Sequence, residues 1–193
     1  MMKTIQSVFA TAALTCLLSA CGGGGGDTAE PSLASRYSAV GSYPITDCVK
    51  DNRTGLIWEG KATSGQRYSV NGYTNYDSTT DLQFWTGVGR VAATPSDLEA
   101  ATNAIGYKQV VNAIGLCGYR DWRLPTVDEL KGLIVSGVTP SIDSSWFPNT
   151  ISAFYWTSSP YVDDVRYAWG VNFFTGTVGF NLRNYTLLVR LVR

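Results

Sequence analysis

The clearest alternation in the chain lies near its C-terminus. Trp169, Val171 and Phe173 take every second position of "YAWGVNFFTGTVGF" (167–180), the pattern breaks at Thr175-Gly176, and it resumes at Val178 and Phe180. Side chains on a strand face its two sides in turn, so this spacing predicts two strands around a glycine turn. "FYWTSS" (154–159) is a further strand upstream, and "YTLLVRLVR" (185–193) is another downstream, with Leu187, Val189 and Leu191 on one face. Far from these, "CVKDNRTGLIWE" (48–59) alternates weakly, breaks at Asn52-Arg53-Thr54-Gly55 and resumes with Leu56, Ile57 and Trp58. That is a hairpin signal, with glycine where a positive φ is needed.

Between the two β regions the period changes. Thr126 and Glu129 form a T-x-x-E capping box, with Pro125 and Leu130 placed as a hydrophobic staple. Val127, Leu130, Leu133 and Ile134 follow as one buried stripe, and Gly137 sits where a helix would end. By alternation, Trp122 and Leu124 point inwards and Asp121 and Arg123 outwards, so "GYRDWRLP" (118–125) reads as a structural corner that sets the entry angle of this helix. An earlier helix is predicted after Pro95 from a box at Ser96 and Glu99, with Leu98, Ala101, Ile105, Val110, Val111 and Ile114 as its apolar face and Gly106 as a possible break. Residues 60–93 and about twenty residues after Gly137 have no clear period and read as long loops. Strands, two helices, a loop and a final run of strands predict an α+β domain with a small antiparallel sheet.

The first residues follow different rules. Lys3 precedes an apolar stretch, Ile5 to Leu18, too short to span a bilayer as a permanent helix. It ends in Leu18-Ser19-Ala20-Cys21, which resembles the lipobox of bacterial lipoprotein signal peptides. Residues 1–20 are then a signal peptide, Cys21 carries a lipid, residues 21–45 lead through a Gly-rich tether, and 46–193 form the domain. The alternative is a plain secretory signal cut at Ala20, with Cys21 a free thiol. As a random coil, residues 22–35 reach roughly 20 Å. The lipobox reading implies a bacterial envelope protein held by lipid at the outer membrane.

Composition narrows the function. The chain is 45% hydrophobic and 12% aromatic, as a packed domain requires. Fifteen basic residues balance fifteen acidic ones, and losing Lys3 with the signal leaves 14 against 15, a charge of −1, so no field draws nucleic acid. The absence of histidine removes the commonest general base and metal ligand. With Cys16 cleaved and Cys21 lipidated, Cys48 and Cys117 remain as an even pair in an exported domain, which predicts a disulfide. The competing reading, a reactive thiol pair, lacks both CxxC spacing and a histidine.

The ordered motifs "DNRTGLIWE", "GYRDWRLPTVDELKGLI", "YWTSSP", "AWGVNF" and terminal "VRLVR" resemble the Lcl C-terminal domain family over roughly residues 46–193. That family is similar in fold to C-type lectin-like domains and to formylglycine-generating enzymes. The resemblance implies that N- and C-terminal strands pair, that two helices pack on a small twisted sheet, and that the ligand surface is the irregular region Gly137 to Tyr167. The enzymes' chemistry does not carry over, because no cysteine follows Cys117 and there is no histidine. No cofactor is expected.

Several residues stand out as candidate ligands. Arg166, Arg183, Arg190 and Arg193 follow Val165 with no acidic residue among them, and either converge as an anion site or solvate strand faces. Trp58, Trp122, Trp156 and Trp169 fit a core, whereas Trp85 and Trp146 beside Gly, Pro and Ser are candidate sugar-stacking platforms. Asp163 and Asp164, with Asp143 and Asn149, are weak calcium candidates without EF-hand spacing, and solvated loop carboxylates are the plainer reading. The candidate ligand-binding set is Trp146, Tyr161, Asp163, Asp164, Arg166 and Arg183. The expected function is a non-catalytic binding module for a polysaccharide or a surface protein. The alternatives are a structural envelope-assembly lipoprotein and a divergent enzyme.

Overall fold

The computed structural model describes residues 35–78 and 82–193, so the expected signal peptide, Cys21 and the expected tether as far as residue 34 lie outside the described residues. Tyr37–Ala39, within the 21–45 stretch read as tether, form a strand of the domain. Three short strands, β1 (Tyr37–Ala39), β2 (Cys48–Asp51) and β3 (Ile57–Glu59), form an antiparallel sheet in that order. Val49 faces Trp58 across the β2–β3 pair, and Gly55 turns the chain at φ 78°. This is the hairpin that the alternation predicts. The expected loop 60–93 carries one small hairpin of its own, β4 (Phe84–Trp85) and β5 (Arg90–Val91).

The first expected helix is two. Helix α1 (Pro95–Glu99) starts from a capping box at Thr94 and Asp97, not Ser96 and Glu99, which puts Pro95 at the first helical position. Proline suits that position because its fixed φ is helical and its missing N–H would have had no partner there. Helix α2 (Ala104–Ile114) follows, burying Ala104, Tyr107 and Val111, while Ile114 is left exposed. Gly106 lets the two pieces meet, since a Cβ there would lie 2.1 Å from the carbonyl oxygen of Ala100. A disulfide joins Cys48 in β2 to Cys117 just beyond α2. Helix α3 (Val127–Lys131) has the predicted box at Thr126 and Glu129 but ends at Gly132, five positions before Gly137.

A second three-stranded antiparallel sheet follows: β6 (Phe154–Pro160), β7 (Tyr167–Asn172) and β8 (Thr177–Leu182). The segment 187–193 then threads through the domain. Leu187 exchanges backbone bonds with Tyr73, Trp156 donates to Leu188, Val192 exchanges bonds with Arg123, and Arg193 exchanges bonds with Ile57. The C-terminal segment therefore pairs with β3 of the first sheet. The N-terminal strand β1 pairs with β2, which corrects the pairing of N- and C-terminal strands that the resemblance implies. Val189 and Leu191 enter a core with Trp122, Trp156, Tyr107 and Val111, against which Leu187 packs. Leu188 and Val192 enter a second core with Trp58, Leu130, Leu133, Phe147 and Tyr155. The alternation marks one apolar face of this strand; both are buried.

Charge is buried with it. The Glu59 carboxylate, fully buried, accepts from Lys61 Nζ at 3.2 Å, from the Leu191 N–H at 3.0 Å and from the Tyr107 hydroxyl. Arg190 Nη1 donates to the Glu59 carbonyl at 2.6 Å and Nη2 to Thr150 Oγ1 at 2.7 Å. Burial pulls the pKa of Lys61 down and pushes that of Tyr107 well up, against the ordinary values of each. Buried ions are tolerated only where such partners replace water.

Candidate functional site

Helix α2, the corner 123–126, strand β6 and the segment from Asn75 to Asp77 enclose a cleft of about 430 Å³, within the range of small-ligand sites. Ile105 and Leu124 give it apolar walls, and Lys108, Arg123 and Arg183 bring positive charge to it. Each cation is held differently. Arg123 forms a two-pronged bond to Glu129, at 2.8 and 2.7 Å, and Glu129 also accepts from the Thr126 N–H at 2.7 Å. Those hydrogen bonds raise the pKa of Arg123 and hold the Glu129 carboxyl below its ordinary value. Arg183 is 2% exposed; its Nη1 donates to the Asn75 carbonyl and pairs with Asp77, each at 2.8 Å, and its Nε donates to Val165 at 3.0 Å. Its buried Nη2 has no hydrogen-bond partner among the described residues. Lys108, half-buried, forms no ion pair among the described residues. Counting Glu129 with Arg123 and Asp77 with Arg183, the cleft holds one uncompensated positive charge. Its hydroxyl groups are engaged: Ser158 Oγ donates to the Pro125 carbonyl, and Thr126 Oγ1 accepts from the Glu129 N–H. The arrangement offers charge and hydrogen bonds to a ligand.

Of the candidate residues, only Arg183 lines this cleft. Tyr161, Asp163, Asp164 and Arg166 lie together in the β6–β7 connection, where Arg166 clasps Asp164 through Nε at 2.8 and 2.9 Å. That guanidinium holds the Asp164 carboxyl at about 2. Trp146 is elsewhere, half-buried, its ring 6.3 Å from that of Tyr37 at the edge of the second core. Trp85 is 47% exposed, as expected. Asp143 accepts from Ser145, Asn149 donates to the Lys61 carbonyl, and among the described residues no three acidic, histidine or cysteine side chains gather as a metal site. The four arginines do not converge. Arg183 and Arg190 are interior, Arg166 pairs with Asp164, and Arg193 pairs with Asp121 at 2.7 Å and stacks on Tyr119. Neither convergence nor solvation of strand faces describes Arg183 and Arg190, because each guanidinium is buried against its own acceptors, Asn75 and Asp77 for Arg183 and Glu59 and Thr150 for Arg190.

The profile of the Lcl C-terminal domain family matches residues 47–193. The chain belongs to that family. No curated protein matches the chain with significance. In this Lcl C-terminal domain, the segment 137–167 contributes only Ser158 to the cleft; the remaining lining comes from residues 75–126 and Arg183. Lys108 and Arg123 are the residues that sequence reasoning passed over. Lys108 gives no signal on a helix surface, whereas Arg123 had one: an outward cation placed beside a helix N-terminus.

A second surface of the Lcl C-terminal domain is aromatic. Tyr161 stacks on Phe180 with centroids 4.2 Å apart, and Tyr167 and Trp169 meet Phe180 edge-on at 5.5 and 5.7 Å. Trp169 belongs here and is only partly buried, unlike Trp58, Trp122 and Trp156, which fill the core as expected. The rings satisfy one another and pin the β6–β7 connection to the sheet.

Proposed function

We propose that this protein is a lipid-anchored envelope protein whose Lcl C-terminal domain is a non-catalytic binding module. The cleft beside α2 and α3 is its ligand surface, and the ligand is a glycan unit carrying a single negative charge. The observation that carries the reading is the meeting, in one cleft, of apolar walls and a lysine that has no carboxylate partner among the described residues. Apolar walls at Ile105 and Leu124 suit the faces of a sugar ring. The engaged hydroxyls and the lack of histidine leave no nucleophile–base pair in the cleft, which supports binding without turnover.

The test is a glycan array with the soluble domain, followed by titration of the hits. Lys108→Ala should weaken binding about tenfold or more, as expected for loss of one charge-assisted bond, and the effect should shrink with salt. Arg166→Gln, on a different surface, should leave the affinity unchanged. An array with no hits, or a stable Lys108→Ala protein of undiminished affinity, would remove the cleft from the reading and favour the envelope-assembly alternative. For the anchor, mass spectrometry of membrane-extracted protein should find an acylated N-terminal Cys21.

A further inference from the structure

At the opposite end of α3 from the cleft, the domain's first described residues meet a basic depression of about 360 Å³ lined by Ser35, Arg36, Asn52 and Arg53. Two guanidiniums converge there on one acceptor, the Gly132 carbonyl at the C-terminus of α3: Arg36 Nη2 at 2.7 Å and Arg53 Nη2 at 3.3 Å. Arg36 is neutralised by the buried Asp51 at 2.9 Å. Arg53 has no carboxylate partner among the described residues, and neither do exposed Lys131, one residue before Gly132, or exposed Lys50. Lys50 stands opposite Ser38 in the β1–β2 register, and Ser38 Oγ donates to Asn52 in the depression wall. Asp128 is the exposed acidic residue on the same short helix. Three unpaired cations against one carboxylate leave the face at +2 in a domain whose overall charge is near zero.

We infer that this face docks on the anionic phospholipid headgroups of the membrane that holds the protein. Two observations select that occupant. The charge is complementary to a phosphate-rich surface. The chain also enters the fold here, at Ser35 and Arg36, so a lipid on Cys21, only 14 residues from Ser35, keeps this face nearest the bilayer. Thr126, in the cleft, and Gly132, under the two arginines, are the two caps of α3. Docking at one end therefore leaves the cleft at the other, turned to whatever approaches from solution. The inference takes from the anchor only which face lies near the membrane, and the two are read by separate measurements.

The test uses residues 34–193. Both cores, the disulfide and the pairing of β3 with the last residues all lie within that stretch, which forms one compact unit. The domain should co-sediment with phosphatidylcholine vesicles containing phosphatidylglycerol and not with pure phosphatidylcholine, and added salt should release it. At roughly fivefold for each basic group near such a surface, Arg53→Gln with Lys131→Gln should bind about thirtyfold more weakly while still melting in one cooperative transition. Arg166→Gln should bind as the unaltered domain does. Equal sedimentation with both vesicles, none with either, or retention by the folded double variant would overturn the docking. Release by inorganic phosphate but not by chloride of equal ionic strength would reassign the depression to a small soluble anion, and would overturn it too.

Discussion

Glu129 does two jobs with one carboxylate. It accepts from the Thr126 N–H, which together with the Glu129 N–H donating to the Thr126 hydroxyl makes the capping box, and it holds Arg123 at the mouth of the cleft. The Arg123 hydrogen bonds are the leading cause of its lowered pKa, with the Thr126 N–H adding to them. The folded value lies below the ordinary 4.5, so this contribution to stability is complete above that pH and is lost as pH falls through the folded value. Glu129→Gln should therefore lower the melting temperature at neutral pH, and the gap to the unaltered protein should close on acidification. A gap that stays constant down to the acid limit would mean that the carboxylate charge contributes nothing. Arg123 also shows how one residue was half legible: alternation put it outside correctly, but a cleft needs the α2 and Asn75 segments, which no local pattern brings to it.

At the scale of elements, local chemistry marked the starts of helices better than their ends. The box at Thr126 and Glu129 is a short-range device and was readable. The stop at Gly132 depends on Arg36 and Arg53, 96 and 79 positions away, which satisfy a carbonyl that would otherwise continue the helix or face water. The same holds for the interior ions. Glu59 and Lys61 carry no signal in sequence, and Arg190 reads only as an anion-site or strand-face arginine, because only a folded network supplies their partners. The disulfide between β2 and the end of α2 was legible by counting alone, since no other pair remained. Its sequence separation of 69 limits the unfolded chain by about 4 kcal/mol in the loop-entropy account. Cys48→Ala with Cys117→Ala should accordingly melt well below the oxidised domain, by thermal denaturation, and a reductant should then have no further effect. An unchanged melting temperature would show that the bridge only decorates an already fixed geometry.

For the whole molecule, the segment 187–193 is the common partner. It bonds to Tyr73, to β6, to the corner at Arg123 and to β3, and its side chains enter both cores. Removing residues 188–193 deletes Leu188, Val189, Leu191 and Val192, all buried. At about 2–5 kcal/mol for each large core side chain truncated, the loss exceeds the 5–15 kcal/mol that holds a typical domain together or comes close to it. The truncated chain should show no cooperative thermal transition. A sharp melt with native-like near-ultraviolet dichroism would mean that the two cores are complete without their shared strand.

That threading also sets an order of events. A ribosome delivers the N-terminal residues first, and domains generally close as soon as their parts are available. Here a late part of the domain is one to which many others attach, so the bonds that β3, β6 and the Arg123 corner make to residues 187–193, and the shared core contacts, form only after both sheets have been delivered.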